Sequence, residues 1–230
     1  MARELLDEIL ARLGTLKPSQ HEEVLKIVQD ETGRMAWIPQ PGPQTEAFLS
    51  AADEMYYGGS AGCGKSDLLI GLALTSHTDS LILRRVNKDA RALMDRVAAV
   101  LGTTEGRNLS LWEWRRVGGK IEFGGCEHAG DEERRKGIAH DLKCFDEISD
   151  FTESQFRFIK TWNRSSKPGQ RSRVACTGNP PTTADGLWVI EYWAPWLDPR
   201  HPNPAVSGEL RWFISDDFGD DKEVSGPGSY

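Results

Sequence analysis

The chain has 230 residues, a length that suits one α/β domain with short appendages and that can bury a core without disulfide staples. A hydrophobic fraction of 38%, a mean hydropathy of -0.50 and the lack of a long apolar run argue against membrane association, while a net charge of -7 excludes a surface coated with nucleic-acid contacts. Cys63, Cys126, Cys144 and Cys176 are scattered without a C-x-x-C pair, which predicts reduced thiols, a cytosolic setting and no zinc site.

Leu5, Leu6, Ile9, Leu10 and Leu13 fall at helical spacing over 3–13. A second amphipathic helix is predicted over 19–31, opened by Ser19 with Glu22 three residues on. Together they make a helical extension over 1–35 that either packs on the rest of the chain or docks a partner. A proline-rich link with Pro39, Pro41 and Pro43 follows, closed by Gln44. Its carboxamide suits either the N6 and N7 edge of adenine or the start of a helix over 45–52.

A short strand over 54–58 leads into Gly59, Ser60, Ala61, Gly62, Cys63, Gly64, Lys65 and Ser66, which fit G-x-x-x-x-G-K-[ST] at every fixed position. The glycines let successive N–H groups turn inward on a phosphate chain. Lys65 brings a point charge to the β- and γ-phosphates, and Ser66 offers a hydroxyl to Mg²⁺. The apolar run 67–74 reads as a buried helix whose N-terminus faces the phosphates. This grouping predicts ATP and Mg²⁺ as ligands.

The next predicted elements are a strand over 80–85 ending in Arg84 and Arg85, and a helix over 87–101 capped by Asn87. A hairpin of 111–117 and 120–123 is expected to turn at Gly118 and Gly119. After a charged stretch, the strand 142–147 ends in Asp146 and Glu147. Asp146 can hold the water shell of Mg²⁺, and Glu147 is placed to polarise an attacking water. Adjacent carboxylates argue for a hydrolase, because a kinase has no water to activate.

A helix over 152–162 comes next, then a loop that gathers Arg164, Lys167, Arg171 and Arg173 without an acid. That loop is the best DNA contact in the chain, solvated surface being the alternative. The strand 173–176 ends in Thr177, Gly178 and Asn179, small polar groups where a γ-phosphate would be sensed. A tryptophan-rich helix over 186–197, a closing strand over 208–214 and an acidic, solvated tail over 216–230 complete the chain.

Pro43-Gln44, the phosphate loop, Leu83-Arg84-Arg85, Phe145-Asp146-Glu147, Thr177-Gly178-Asn179-Pro180 and Gly208-Glu209-Leu210-Arg211-Trp212-Phe213 together resemble the ATPase domain of the large terminase subunit, the DNA-packaging motor of tailed bacteriophages. The resemblance implies an α/β, RecA-like P-loop NTPase of the additional-strand type, with a mostly parallel sheet flanked by helices over 36–215. It implies a homomeric ring, usually of five subunits, on double-stranded DNA at the portal protein, with the small terminase subunit as partner, in the host cytoplasm and on the procapsid. It gives Gln44 to adenine, Thr177, Gly178 and Asn179 to coupling hydrolysis with movement, and an arginine to a neighbouring subunit. The loop itself contains no arginine, so Arg135, or its neighbour Arg134, is the expected trans finger. The chain stops at Tyr230, so a motor domain without nuclease activity is expected. The alternatives are a helicase-like DNA remodeller and a nucleotide-gated assembly module. A pure binding module has no need for Glu147.

Overall fold

The computed structural model describes residues 36–215 and 221–227. The helices predicted over 3–13 and 19–31 lie outside the described residues, as do positions 216–220 of the acidic tail. The elements below belong to one compact unit that begins at Pro39.

The strands of its central sheet, numbered in chain order, are β1 (Glu54–Gly58), β2 (Asp79–Arg84), β3 (Arg107–Asn108), β4 (Glu113–Arg116), β5 (Gly119–Gly125), β6 (Leu142–Phe145) and β7 (Arg173–Gly178). They lie side by side as β1-β7-β6-β2-β5-β4-β3. The run from β1 to β5 is parallel, and β4 and β3 extend it antiparallel. Parallel strands carry helices on both faces, so their sequences read as continuous apolar runs. Every residue of β6 and of β7 is buried accordingly.

The helices follow from the same patterning. In α1 (Pro43–Leu49) the ring of Pro43 sets the first turn. In α2 (Lys65–Thr75) every residue from Leu68 to Leu74 is buried, matching its unbroken apolar run. By contrast α3 (Asn87–Leu101) buries one stripe, Ala90, Leu93, Met94 and Val97. A capping box between Thr152 and Gln155 opens α4 (Glu153–Lys160). Phe145, Phe151, Phe156, Trp188 and Trp193 form the aromatic heart of the core, and Trp188 Nε1 donates to the Phe151 carbonyl at 2.8 Å.

Four local expectations change. Arg116 pairs with Gly119, so the hairpin turns at Val117 and Gly118, where Gly118 takes φ +84°. Asn87 does not cap α3; its Oδ1 accepts from Gly125 N at 2.8 Å and ties the helix start to β5. The tryptophan-rich segment breaks into α5 (Trp188–Tyr192) and α6 (Ala194–Leu197), because Pro195 cannot continue a helix through Glu191. The segment 208–214 does not close the main sheet. Trp212–Ser215 forms β8 and pairs antiparallel with β9 (Asp221–Val224) in a separate hairpin, so part of the acidic tail is strand. Asp221 is anchored there by Arg157, at 2.8 Å.

Candidate nucleotide site

The register of the parallel strands assembles the site. Phe145 lies beside Cys176, and Tyr57 and Gly58 lie beside Thr177 and Gly178. The next residues out of these strands therefore meet at one edge of the sheet, the C-terminal edge, where open α/β sheets bind ligands. Because β7 separates β1 from β6, Asp146 and Thr177 come into contact above the phosphate loop.

The loop curls through Gly59, Gly62 and Gly64, each with positive φ. Gly64 is the most constrained: its φ is +75°, and a Cβ there would collide with the Gln44 carboxamide. Lys65, buried at the start of α2, donates to the carbonyls of Gly59 at 3.1 Å and Ser60 at 2.9 Å and to Asn179 Oδ1 at 2.9 Å. Its three N–H bonds thus close the cradle and tie it to β7. A phosphate entering the loop would take over these donors.

Asp146 is fully buried and satisfied on every side. Ser66 Oγ reaches both its oxygens, at 2.9 and 3.1 Å, Thr177 Oγ1 donates at 2.8 Å, and Arg84 Nε donates at 2.8 Å. The adjacent Ser66 hydroxyl and Asp146 carboxylate form an all-oxygen pair. One carboxylate and one hydroxyl fit Mg²⁺, which takes its remaining ligands from water and phosphate and needs no protein cage.

Glu147 sits at φ +59°, ψ +60°, a left-handed conformation that is rare for a residue with a side chain. Such strain is on the order of 1–3 kcal/mol and persists where the surroundings over-determine it. Here the backbone reversal turns the carboxylate toward the loop, where Oε2 accepts from Asn179 N at 3.3 Å. Asn179 therefore holds Lys65 with its side chain and Glu147 with its backbone. Glu147 also makes itself felt at Tyr56, whose phenol is pushed up to about 12, first by burial and then by this carboxylate.

Lys65, Ser66, Glu147 and Asn179 line a cleft of about 350 Å³. Arg96 of α3 shares that wall, a cation that sequence patterning did not single out. On the helix it is one polar residue among several; only the packing of α3 on α2 brings it to the loop.

Other expected residues sit elsewhere. Gln44 is buried beside the loop and does not line the cleft: Nε2 donates to Gly64 O at 2.8 Å and Oε1 accepts from Gln40 N at 2.6 Å. Arg135 lies over Gly124 and faces Glu122 at 3.9 Å, with only 19% of its side chain exposed, whereas Arg134 is 78% exposed. Of the two finger candidates, Arg134 is the more exposed and Arg135 is the one packed on β5. Two of the four basic-loop residues are structural. Arg173 is buried and donates to the carbonyls of Ala47 and Phe48 at the end of α1, and Arg171 binds those of Ser50, Ala51 and Ala52. Arg164 and Lys167 remain exposed, Arg164 stacked on Trp162.

No protein-family model and no curated protein sequence matches this chain. Solved structures do: the crystal structure of the bacteriophage HK97 large terminase aligns with a TM-score of 0.50 at 11% identity, over 66% of this chain and 36% of that one. The chain shares its fold with the aligned part of that large terminase. The ATPase domain of a Thermus phage large terminase aligns over 76% of this chain and 80% of that one, at 14% identity and a TM-score of 0.49. A large terminase from a thermophilic bacteriophage gives 67% and 39%, at 17% identity and a TM-score of 0.45. The match spans little more than a third of the HK97 large terminase and of the thermophilic phage's. In this chain β7 lies between the loop strand β1 and the acid strand β6.

Proposed function

We propose that this chain is an ATP-hydrolysing motor domain that drives double-stranded viral DNA into a procapsid. One observation carries the reading: parallel register sets Lys65 and Ser66, Asp146 and Glu147, and Thr177 and Asn179 around one cleft, with Glu147 held in a strained backbone. Lys65 binds the β- and γ-phosphates once released from the loop carbonyls. Ser66 and Asp146 would hold Mg²⁺, Asp146 partly through water, and the ion would supply positive charge toward the phosphates. Glu147 accepts a proton from water as its oxygen attacks the γ-phosphorus and the bond to the ADP oxygen breaks.

Asn179 is the coupling element. It bridges the phosphate-binding lysine and the base, so exchange of Lys65 onto phosphate frees its side chain and changes the position of β7's end. The DNA-moving half of the proposal is supported by the terminase fold and by the exposed Arg164 and Lys167. Its partners on this reading are a homomeric, pentameric ring, the portal protein and the small terminase subunit, in the host cytoplasm and on the procapsid.

The direct test is Glu147→Gln. Turnover of MgATP is expected to fall roughly 10²-fold or more, with nucleotide binding retained. Equal turnover in the variant and the wild-type protein would remove Glu147 from the chemistry.

A further inference from the structure

Lys65 and Arg96 are the cations on the cleft wall, and they are held differently. Lys65 is buried and donates into the loop. Arg96, on α3, forms a two-pronged ion pair with Asp67 on the first turn of α2, Nε to Oδ1 and Nη2 to Oδ2, both at 2.7 Å. Asp67 follows Ser66 directly, so this guanidinium is already fixed in plane beside the phosphate cradle. Its side chain is 52% exposed and that of Asp67 is 23% exposed.

That exposure leaves the guanidinium within reach of a ligand in the cleft. An exposed ion pair typically contributes up to about 1 kcal/mol, with a two-pronged pair such as this at the upper end, so a ligand has to offer more than Asp67 does. A guanidinium binds a phosphate in the same two-pronged way as a carboxylate, and a phosphate chain entering the cleft carries more charge than Asp67 does. The phosphate loop supplies no arginine of its own.

We propose that Arg96 is a phosphate-binding residue in cis, parked on Asp67 in the nucleotide-free protein and transferred to the phosphate chain of a bound nucleoside di- or triphosphate. Asp67 is then a competitor for the guanidinium, which keeps the arm aligned and sets how much negative charge releases it. This assignment rests on the reading of the cleft as a nucleotide site, and it makes Arg96 distinct from any arginine supplied by a neighbouring subunit.

The test uses the full chain with Mg²⁺ and fluorescent analogues of ADP and ATP, titrated against wild type, Lys65→Ala, Arg96→Ala, Arg96→Lys and Asp67→Asn, with a melting temperature for each without nucleotide. Arg96→Ala is expected to weaken binding about 10- to 100-fold, the range of one charge-assisted contact, with the melting temperature nearly unchanged. Arg96→Lys is expected to recover part of the loss, and Asp67→Asn to tighten binding, opposite in sign to Arg96→Ala. Equal weakening in Arg96→Ala and Asp67→Asn means the pair only braces the loop, and overturns the proposal. Binding abolished in Lys65→Ala but unchanged in Arg96→Ala overturns the assignment of Arg96 alone. A wild-type protein that binds neither analogue overturns the nucleotide reading and this assignment with it.

Discussion

At the scale of single residues, the site depends on side chains that serve two partners at once. Gln44 is one: its oxygen and nitrogen are committed to Gln40 N and Gly64 O, at the one loop glycine a Cβ would push into it. Removing the carboxamide takes a partner from the part-buried Gln40 N–H and Gly64 carbonyl, about 1 kcal/mol for each hydrogen bond lost. Gln44→Ala is therefore expected to loosen the phosphate loop and to weaken ATP and GTP by a similar factor, measured by titration calorimetry. A loss confined to ATP would instead show that its spare N–H and lone pair read adenine. Asn179 has the same double engagement, and its two contacts connect phosphate binding to the base.

At the scale of elements, β6 carries a buried lysine at its second position and is followed directly by Asp146. Lys143 Nζ donates to Ile138 O at 3.3 Å and lies 3.2 Å from His140 Nδ1. Burial, then Arg135, pull its pKa down from 10.5 to about 8, against the opposing pull of Glu122 and Asp79. The folded protein thus holds this proton less tightly than the unfolded chain does. Stability from this group is depressed below pH 8 and recovers as pH rises from about 8 to 10.5. Lys143→Met is expected to melt higher than wild type at pH 7, with the difference shrinking toward pH 10, read by paired thermal melts. A constant difference across that window would mean the lysine titrates normally. Toward the opposite, N-terminal ends of the parallel strands lie Asp79, Glu122 and His140, and Lys120 sits against both carboxylates.

At the scale of the whole molecule, the question is where the positive charge for a developing γ-phosphate comes from. The cleft is open, and Arg84 is spent on Asp146. On the proposed ring, Arg134, exposed on the turn Asp131–Arg135, is the first finger candidate to test, and an arginine finger is worth about 10³–10⁵ in turnover. Turnover per subunit is expected to rise with protein concentration. Arg134→Ala mixed with Glu147→Gln is expected to regain activity that neither has alone, whereas Arg135→Ala chiefly lowers stability. Rates flat with concentration, without complementation, would place the finger within one subunit.

The phosphate loop, the Asp146–Glu147 strand end and the Thr177–Asn179 turn were legible in sequence, because local backbone demands leave their mark on adjacent residues. A glycine with positive φ, a buried parallel strand and a helix run without polar breaks each constrain residue type at their own positions. Side-chain destinations left no such mark. Arg171 and Arg173 look like a DNA-binding loop in sequence, yet they end on carbonyls more than a hundred positions away. Arg135 looks like a finger and packs on β5, while Arg96 looks like helix surface and stands in the cleft. A long cation's partner is chosen by whichever elements the sheet order brings within reach. The order β1-β7-β6-β2-β5 is set by packing between segments far apart in the chain, and only the tertiary structure decides it.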